Sequence, residues 1–104
     1  MNLRIRPQAE VDLLAIASLI RARRPASARR FLVNTADAFD LLARSPQMGA
    51  RGIVKHHPDI RSFSIRRFPN HVILYIALPD GADIVRVVNG RRDLKSLFND
   101  DDSA

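Results

Sequence analysis

The sequence predicts an α+β domain in which a helical hairpin packs on one face of a small, mainly antiparallel sheet, in the order β-α-α-β-β-β with a short C-terminal helix. Three observations predict it. Two N-terminal stretches carry apolar residues at helical spacing, each opened by a proline. The second half carries apolar, β-branched runs separated by proline, asparagine and glycine. Helices gathered ahead of hairpin-linked strands favour segregated layers over a wound parallel sheet.

The elements follow in order. Leu3 and Ile5 alternate with Arg4 and Arg6, the period of a short strand with one buried face. Pro7 suits a first helical position, with Glu10 and Asp12 near the positive helix end. Ala9, Leu13, Ile16, Ala17 and Ile20 share one stripe, and Arg21, Arg23 and Arg24 close the helix where cations are favoured. After Pro25, Ala28, Phe31, Leu32, Thr35, Phe39 and Leu42 make a second stripe, predicting a helix over 26–44 that Ser45-Pro46 stops. So short a link predicts an antiparallel pair.

The segment from Gln47 to Asp59 lacks a clear period and reads as a loop, with a short strand near Ile53-Val54. Arg61 to Phe68 is a strand with Phe63 and Ile65 on one face, turned by Pro69-Asn70. His71 to Leu78 is apolar on both faces, which predicts a central strand covered on both sides. Pro79-Asp80-Gly81 is a hairpin turn, and Ile84 to Asn89 is the last strand, ended by Gly90. Arg91 to Phe98 has Leu94, Leu97 and Phe98 placed for a short helix. We expect one domain over residues 1–98 and an acidic, flexible tail over 99–104.

Composition bounds the chemistry. At 104 residues the chain matches one domain, which buries roughly two-thirds of its unfolded surface. It has no cysteine, which removes disulfides, thiolate metal sites and a cysteine nucleophile, and fits a cytoplasmic protein. No stretch approaches the length of a membrane span, and Pro7 interrupts the start before an export signal could develop, so neither membrane nor export is expected. Seventeen Lys+Arg against eleven Asp+Glu give a net charge of +6, and only Lys55 and Lys95 are lysines. Guanidinium forks suit carboxylates and phosphates, so acidic protein, nucleic acid and plain solubility all remain open from charge alone.

Few residues carry the signature of a catalytic site. His56-His57 with Asp59 are adjacent loop residues without metal-ligand spacing, so no metal is expected. Gly49-Ala50-Arg51-Gly52 lacks the spacing of a phosphate loop, and Ser62 and Ser64 have no elbow motif around them. Asp80 and Asp83 flank a turn, Asp100-Asp101-Asp102 reads as a solvated end, and His71 reads as a turn residue at a strand start. With one tyrosine and no tryptophan, a base-stacking platform is not expected.

The arginines of the sheet are the binding candidates. Arg61, Arg66 and Arg67 lie on one strand, Arg86 on the last strand, and Arg91 and Arg92 directly after it. Neighbouring strands would gather several of them into one electropositive region. Arg86 lies within a β-branched run, so a buried pair with an internal acid is an equal reading for it. Arg91-Arg92, at a strand-to-helix junction, is the best contact candidate.

The assembled pattern resembles the RelE/ParE toxin superfamily. Ala9…Asp12-Leu13…Ile16, Pro25-Ala26…Ala28…Phe31 and Leu42-Ala43…Ser45-Pro46-Gln47-Met48-Gly49 look like its helical hairpin. Arg61-Ser62-Phe63-Ser64-Ile65, Val72-Ile73-Leu74-Tyr75 and the run from Ile84 through Asn89-Gly90-Arg91-Arg92-Asp93 look like its strand meander, the last most like the ParE branch. The likeness spans roughly residues 3–98.

That resemblance implies the toxin of a bacterial type II toxin–antitoxin pair, without a cofactor, silenced by a ParD-like antitoxin whose acidic segment wraps it. Operator DNA would be reached only through the antitoxin. RelE-like members cut mRNA on the ribosome, which needs proton donors and acceptors beside cations. Here the family's strand-start arginine falls at Val72 or His71, Arg92 is kept, and the terminal aromatic falls near Phe98, which has no hydroxyl. ParE-like members inhibit DNA gyrase by trapping its cleaved complex and need no catalytic residues. The resemblance therefore implies a non-enzymatic gyrase inhibitor. The alternatives are a RelE-like endonuclease using His71 or His57 as base, and a non-toxic antitoxin-binding module.

Overall fold

Each helix begins where a proline fits and ends where the next proline forbids continuation. The computed structural model describes residues 1–90 and 92–94 of the chain. Pro7 opens α1 (Pro7–Arg23) and Pro25 opens α2 (Pro25–Arg44). A single residue, Arg24, lies between them with extended backbone, φ −145° and ψ 90°. That conformation is what a following proline ring demands of its predecessor. Two helices joined by one residue must fold back on each other, and they pack together.

The strands are β1 (Asn2–Ile5), β2 (Ala50–Arg51), β3 (Ile60–Ile65), β4 (Phe68–Leu78) and β5 (Gly81–Asn89). They form one sheet in the order β1-β5-β4-β3-β2. Only β1 runs parallel to its neighbour, β5; the other pairings are antiparallel. The expected α+β architecture is thus present: two helices over a mostly antiparallel sheet. Gly81 is where β1 meets β5 most closely, since a Cβ there would run into the backbone of Asn2.

The helices and the sheet share the main core. Ala9, Phe31, Phe39 and Leu42 from the helices meet Ile65, Ile73, Tyr75, Ile84 and Val87 from the strands. Leu13, Ile16, Ala17 and Ile20 pack against this cluster while staying half-buried. On the opposite face Val54, Ile60, Leu74 and Val88 form a second cluster, with Leu94 packed against it. β4 therefore has cover on both sides, as its unbroken apolar run requires.

Several local expectations are corrected. The β3–β4 turn is at Arg66-Arg67, because Ile65 pairs with Phe68, and Pro69-Asn70 lie within β4. Proline is tolerated there because the ladder shifts register between Ser64 and Ile65, leaving residues 69–71 without partners on β3. The short strand is Ala50–Arg51, while Val54 sits in a loop and plugs the second core. Leu3 and Leu32 are exposed, so neither belongs to the core. Ser62 is buried, because the face expected to be solvated carries the second cluster. The expected terminal helix and acidic tail lie outside the described residues, apart from Arg92, Asp93 and Leu94.

Candidate functional site at the strand-end cleft

β4 and β5 pair near their shared end through His71 and Asn89, and the Gly90 N–H donates to the Asn70 carbonyl at 2.7 Å. The last turns of α1 overhang this end. Between them lies a cleft of about 340 Å³ whose wall includes Leu19 and Arg23 from α1 and His71, Asn89 and Arg92 from the sheet side. The turn after β5 is held by Asn89: the Asp93 N–H donates to its carbonyl at 2.8 Å, and the Arg92 N–H to its side-chain Oδ1 at 3.0 Å.

Arg92 projects from this turn with 72% of its side chain exposed, its Nε 3.1 Å from Asp93 Oδ1. At Asp93 burial alone would raise the carboxyl pKa. Hydrogen bonds from Arg92 and the Asn89 amide, with the charges of Arg92 and Arg86, outweigh it and hold that pKa below the usual value. His71 is half-buried and meets the Phe31 ring edge-on, centroids 5.4 Å apart. Burial, reinforced by the positive charge of Arg92 and partly offset by Asp93, lowers its pKa from 6.5. The imidazole is therefore neutral at physiological pH.

The candidate arginines fall into three environments. Arg61 is tied into the structure: Nη1 donates to the carbonyls of Gly49 at 2.9 Å and Gln47 at 3.2 Å, and Nη2 to Gln47 Oε1 at 2.6 Å. Arg86 forms the internal pair that its β-branched setting suggested, with Nε and Nη2 at 2.7 and 2.9 Å from the two oxygens of Asp12. Arg66, Arg67 and Arg92 are exposed. Arg66 and Arg67 form the β3–β4 turn, and the Asn34 amide holds the Arg66 carbonyl at 3.1 Å. Arg91 lies outside the described residues. The sheet thus turns two of its arginines into braces and leaves three at the end where β3, β4 and β5 terminate or turn.

Two members of the cleft were not among the expected binding residues, although His71 was named as a base for the RelE-like alternative. Arg23 reads in sequence as a helix-end cation, and His71 as a turn residue; nothing local says that α1 ends above β4. Asp83, read as flanking a turn, is buried at 5% exposure and receives Arg6, whose Nη2 is 2.9 Å away. Among the described residues no group of three or more His, Cys, Asp or Glu could hold a metal ion, and no helix is long and apolar enough to cross a membrane.

Comparison with known proteins decides the family. Residues 3–94 match the model for the ParE toxin of the type II toxin–antitoxin system parDE. The chain belongs to the ParE toxin family. A solved structure described as the chromosomal ParDE TA system from P. aeruginosa superposes with a TM-score of 0.71 at 19% identity, covering 86% of this chain and 95% of that one. At that identity the likeness speaks to the fold. No curated protein sequence matches the chain. The ParE match takes in both helices, all of the sheet but Asn2, and Arg92, so the strand-end cleft lies inside the family region.

Proposed function

We propose that this ParE-family toxin inhibits DNA gyrase by docking and trapping the cleaved DNA complex, without making or breaking bonds itself, and that a ParD-like antitoxin neutralises it in the cytoplasm. The observation that carries this reading is Tyr75. It is the chain's only tyrosine and is 0% exposed. Its hydroxyl donates to the Pro46 carbonyl and accepts the Gly49 N–H, each at 2.7 Å. Burial raises its pKa despite the Gly49 hydrogen bond and the nearby Arg61 charge. The one phenol that could trade protons with a ribose hydroxyl is a fixed part of the core. Exposed guanidinium groups then serve contact, where fork-shaped donors suit the carboxylates and phosphates of a protein–DNA complex.

The alternative, a RelE-like endonuclease, draws support from the neutral His71 beside Arg92, which has the ingredients of a base next to a cation. One purified preparation distinguishes them. Loss of gyrase supercoiling with intact translated mRNA is expected; normal supercoiling with excess protein, or ribosome-dependent cuts in mRNA, would overturn the gyrase reading. Normal growth on expression together with tight antitoxin binding would favour the non-toxic module.

A further inference from the structure

The helical hairpin has an uncovered outer side. α1 turns Ala9, Leu13, Ile16 and Ile20 to the core, yet its opposite side is apolar as well: Val11 is 56% exposed and Leu14 68%. A helix that is apolar all round is expected to have cover on both sides. A groove of about 400 Å³ runs along this outer side between the two helices. Leu14, Ala17 and Arg21 from α1 and Ala28, Arg29 and Leu32 from α2 are in its walls.

One stripe of α1 beside this groove has a self-complementary order. Glu10, Leu14, Ala17 and Arg21 follow one another at steps of four, three and four residues, so they lie on one line along the helix. The steps read the same from either end, while the residues read as opposites, acid for base and large for small. Laid antiparallel on a second copy of itself, the stripe sets Glu10 against Arg21 and Leu14 against Ala17, each contact occurring twice. At about 1.5 Å per residue the two charges of a stripe stand roughly 16 Å apart, so all these contacts form in one register. Glu10 and Arg21 are exposed and make no ion pair among the described residues.

We propose that the chain pairs with a second copy of itself through this outer side, α1 against α1, about a two-fold axis between Leu14 and Ala17. Each Leu14 enters the other copy's groove beside Ala17, where Leu32, 42% exposed, gives a further apolar wall. Each Glu10 meets the second copy's Arg21. A two-fold contact has to be self-complementary, and an unrelated helix would need the same reversed order that a second copy supplies by symmetry. A nucleic acid would leave the leucines uncovered and meet Glu10, and a lipid surface would have to bury that carboxylate. With 17 residues in α1, the face is about 25 Å long and, across two helices, about 20 Å wide, so each copy hides on the order of 500 Å². That falls below the roughly 800 Å² per partner of a stable complex, so the pairing is weak and reversible. It goes beyond the gyrase reading and does not rest on it.

Sedimentation equilibrium of the whole protein, from about 10 μM to about 1 mM, should show monomers and dimers in exchange. Leu14→Asp should weaken the dimer about tenfold with the melting transition intact. Glu10→Arg alone and Arg21→Glu alone should each weaken it about fivefold, since each sets like charges face to face. An equimolar mixture of those two variants should pair again, because one then carries bases at both ends of the stripe and the other acids. A protein that stays monomeric throughout overturns the proposal. So does a dimer that Leu14→Asp leaves intact, or a mixture that fails to recover. A monomer that floats with phosphatidylcholine vesicles would give the face to a lipid surface instead.

Discussion

Asp12 on α1 holds Arg86 on β5 through two hydrogen bonds of 2.7 and 2.9 Å, and the same carboxylate accepts the Val87 N–H at 3.0 Å. A few residues away the polarity reverses, with Arg6 reaching back to Asp83. Two ion pairs of opposite sense therefore pin the first strand-and-helix segment to the last strand, more than seventy residues away in sequence.

Removing the Asp12 carboxylate strands a half-buried guanidinium and a backbone donor. Asp12→Ala should lower unfolding stability by about 1.5–3 kcal/mol, the range for hydrogen bonds to charged groups. Urea unfolding measures it. Asp12→Asn, which keeps an acceptor, should lose less, and equal losses would show that the charge itself dominates.

Tyr75→Phe tests whether the phenol is structural. The change leaves the Gly49 N–H and the Pro46 carbonyl without their partner, at a cost of about 1–3 kcal/mol. Supercoiling inhibition by the folded fraction should be unchanged. An unchanged melting temperature with lost activity would instead give Tyr75 a functional role. Gly49→Ala should disturb the same joint, since a Cβ there would lie 2.6 Å from a Tyr75 ring carbon.

His71 makes stability depend on pH. Its folded pKa lies below the ordinary 6.5, so between those two values the unfolded chain binds more protons than the folded one. Stability is therefore full above pH 6.5 and declines as pH falls toward the folded pKa. Comparing urea midpoints at pH 7.5 and 5.5 should show this decline, and His71→Gln should reduce it. A decline of the same size in the variant would place the effect on other groups.

The core stripe does not weigh evenly. Phe39 is 4% exposed, and Phe39→Ala should cost about 3–5 kcal/mol. Leu13 is only half-buried, so Leu13→Ala should cost less than the 2–5 kcal/mol typical of a buried leucine. Thermal melts of the two variants rank them; a larger loss at Leu13 would contradict the packing described.

Arginine replacements should separate braces from contacts. Arg92→Ala, at an exposed position, should weaken gyrase inhibition with the melting transition intact. Arg61→Ala should lower stability instead, because three acceptors around Gln47 and Gly49 lose their donor. Arg91→Ala combined with Arg92→Ala should extend the functional loss. Collapse of folding in Arg92→Ala would make it a structural residue.

The helices, the strand runs and the resemblance to RelE/ParE toxins could be read from order along the chain. Proline placement and apolar period are local properties, and local sterics and burial of one face act on them directly. What the arginines do could not be read that way. Arg86 lies within the β5 run and Arg92 soon after it, yet one is held by Asp12 and the other stays largely exposed beside Asp93, because α1 crosses above β5 only once the sheet has formed. The turn at Arg66-Arg67 and the cleft at His71 are likewise products of register. Register is settled between strands by which pairing buries both faces of β4, and no single segment contains that information.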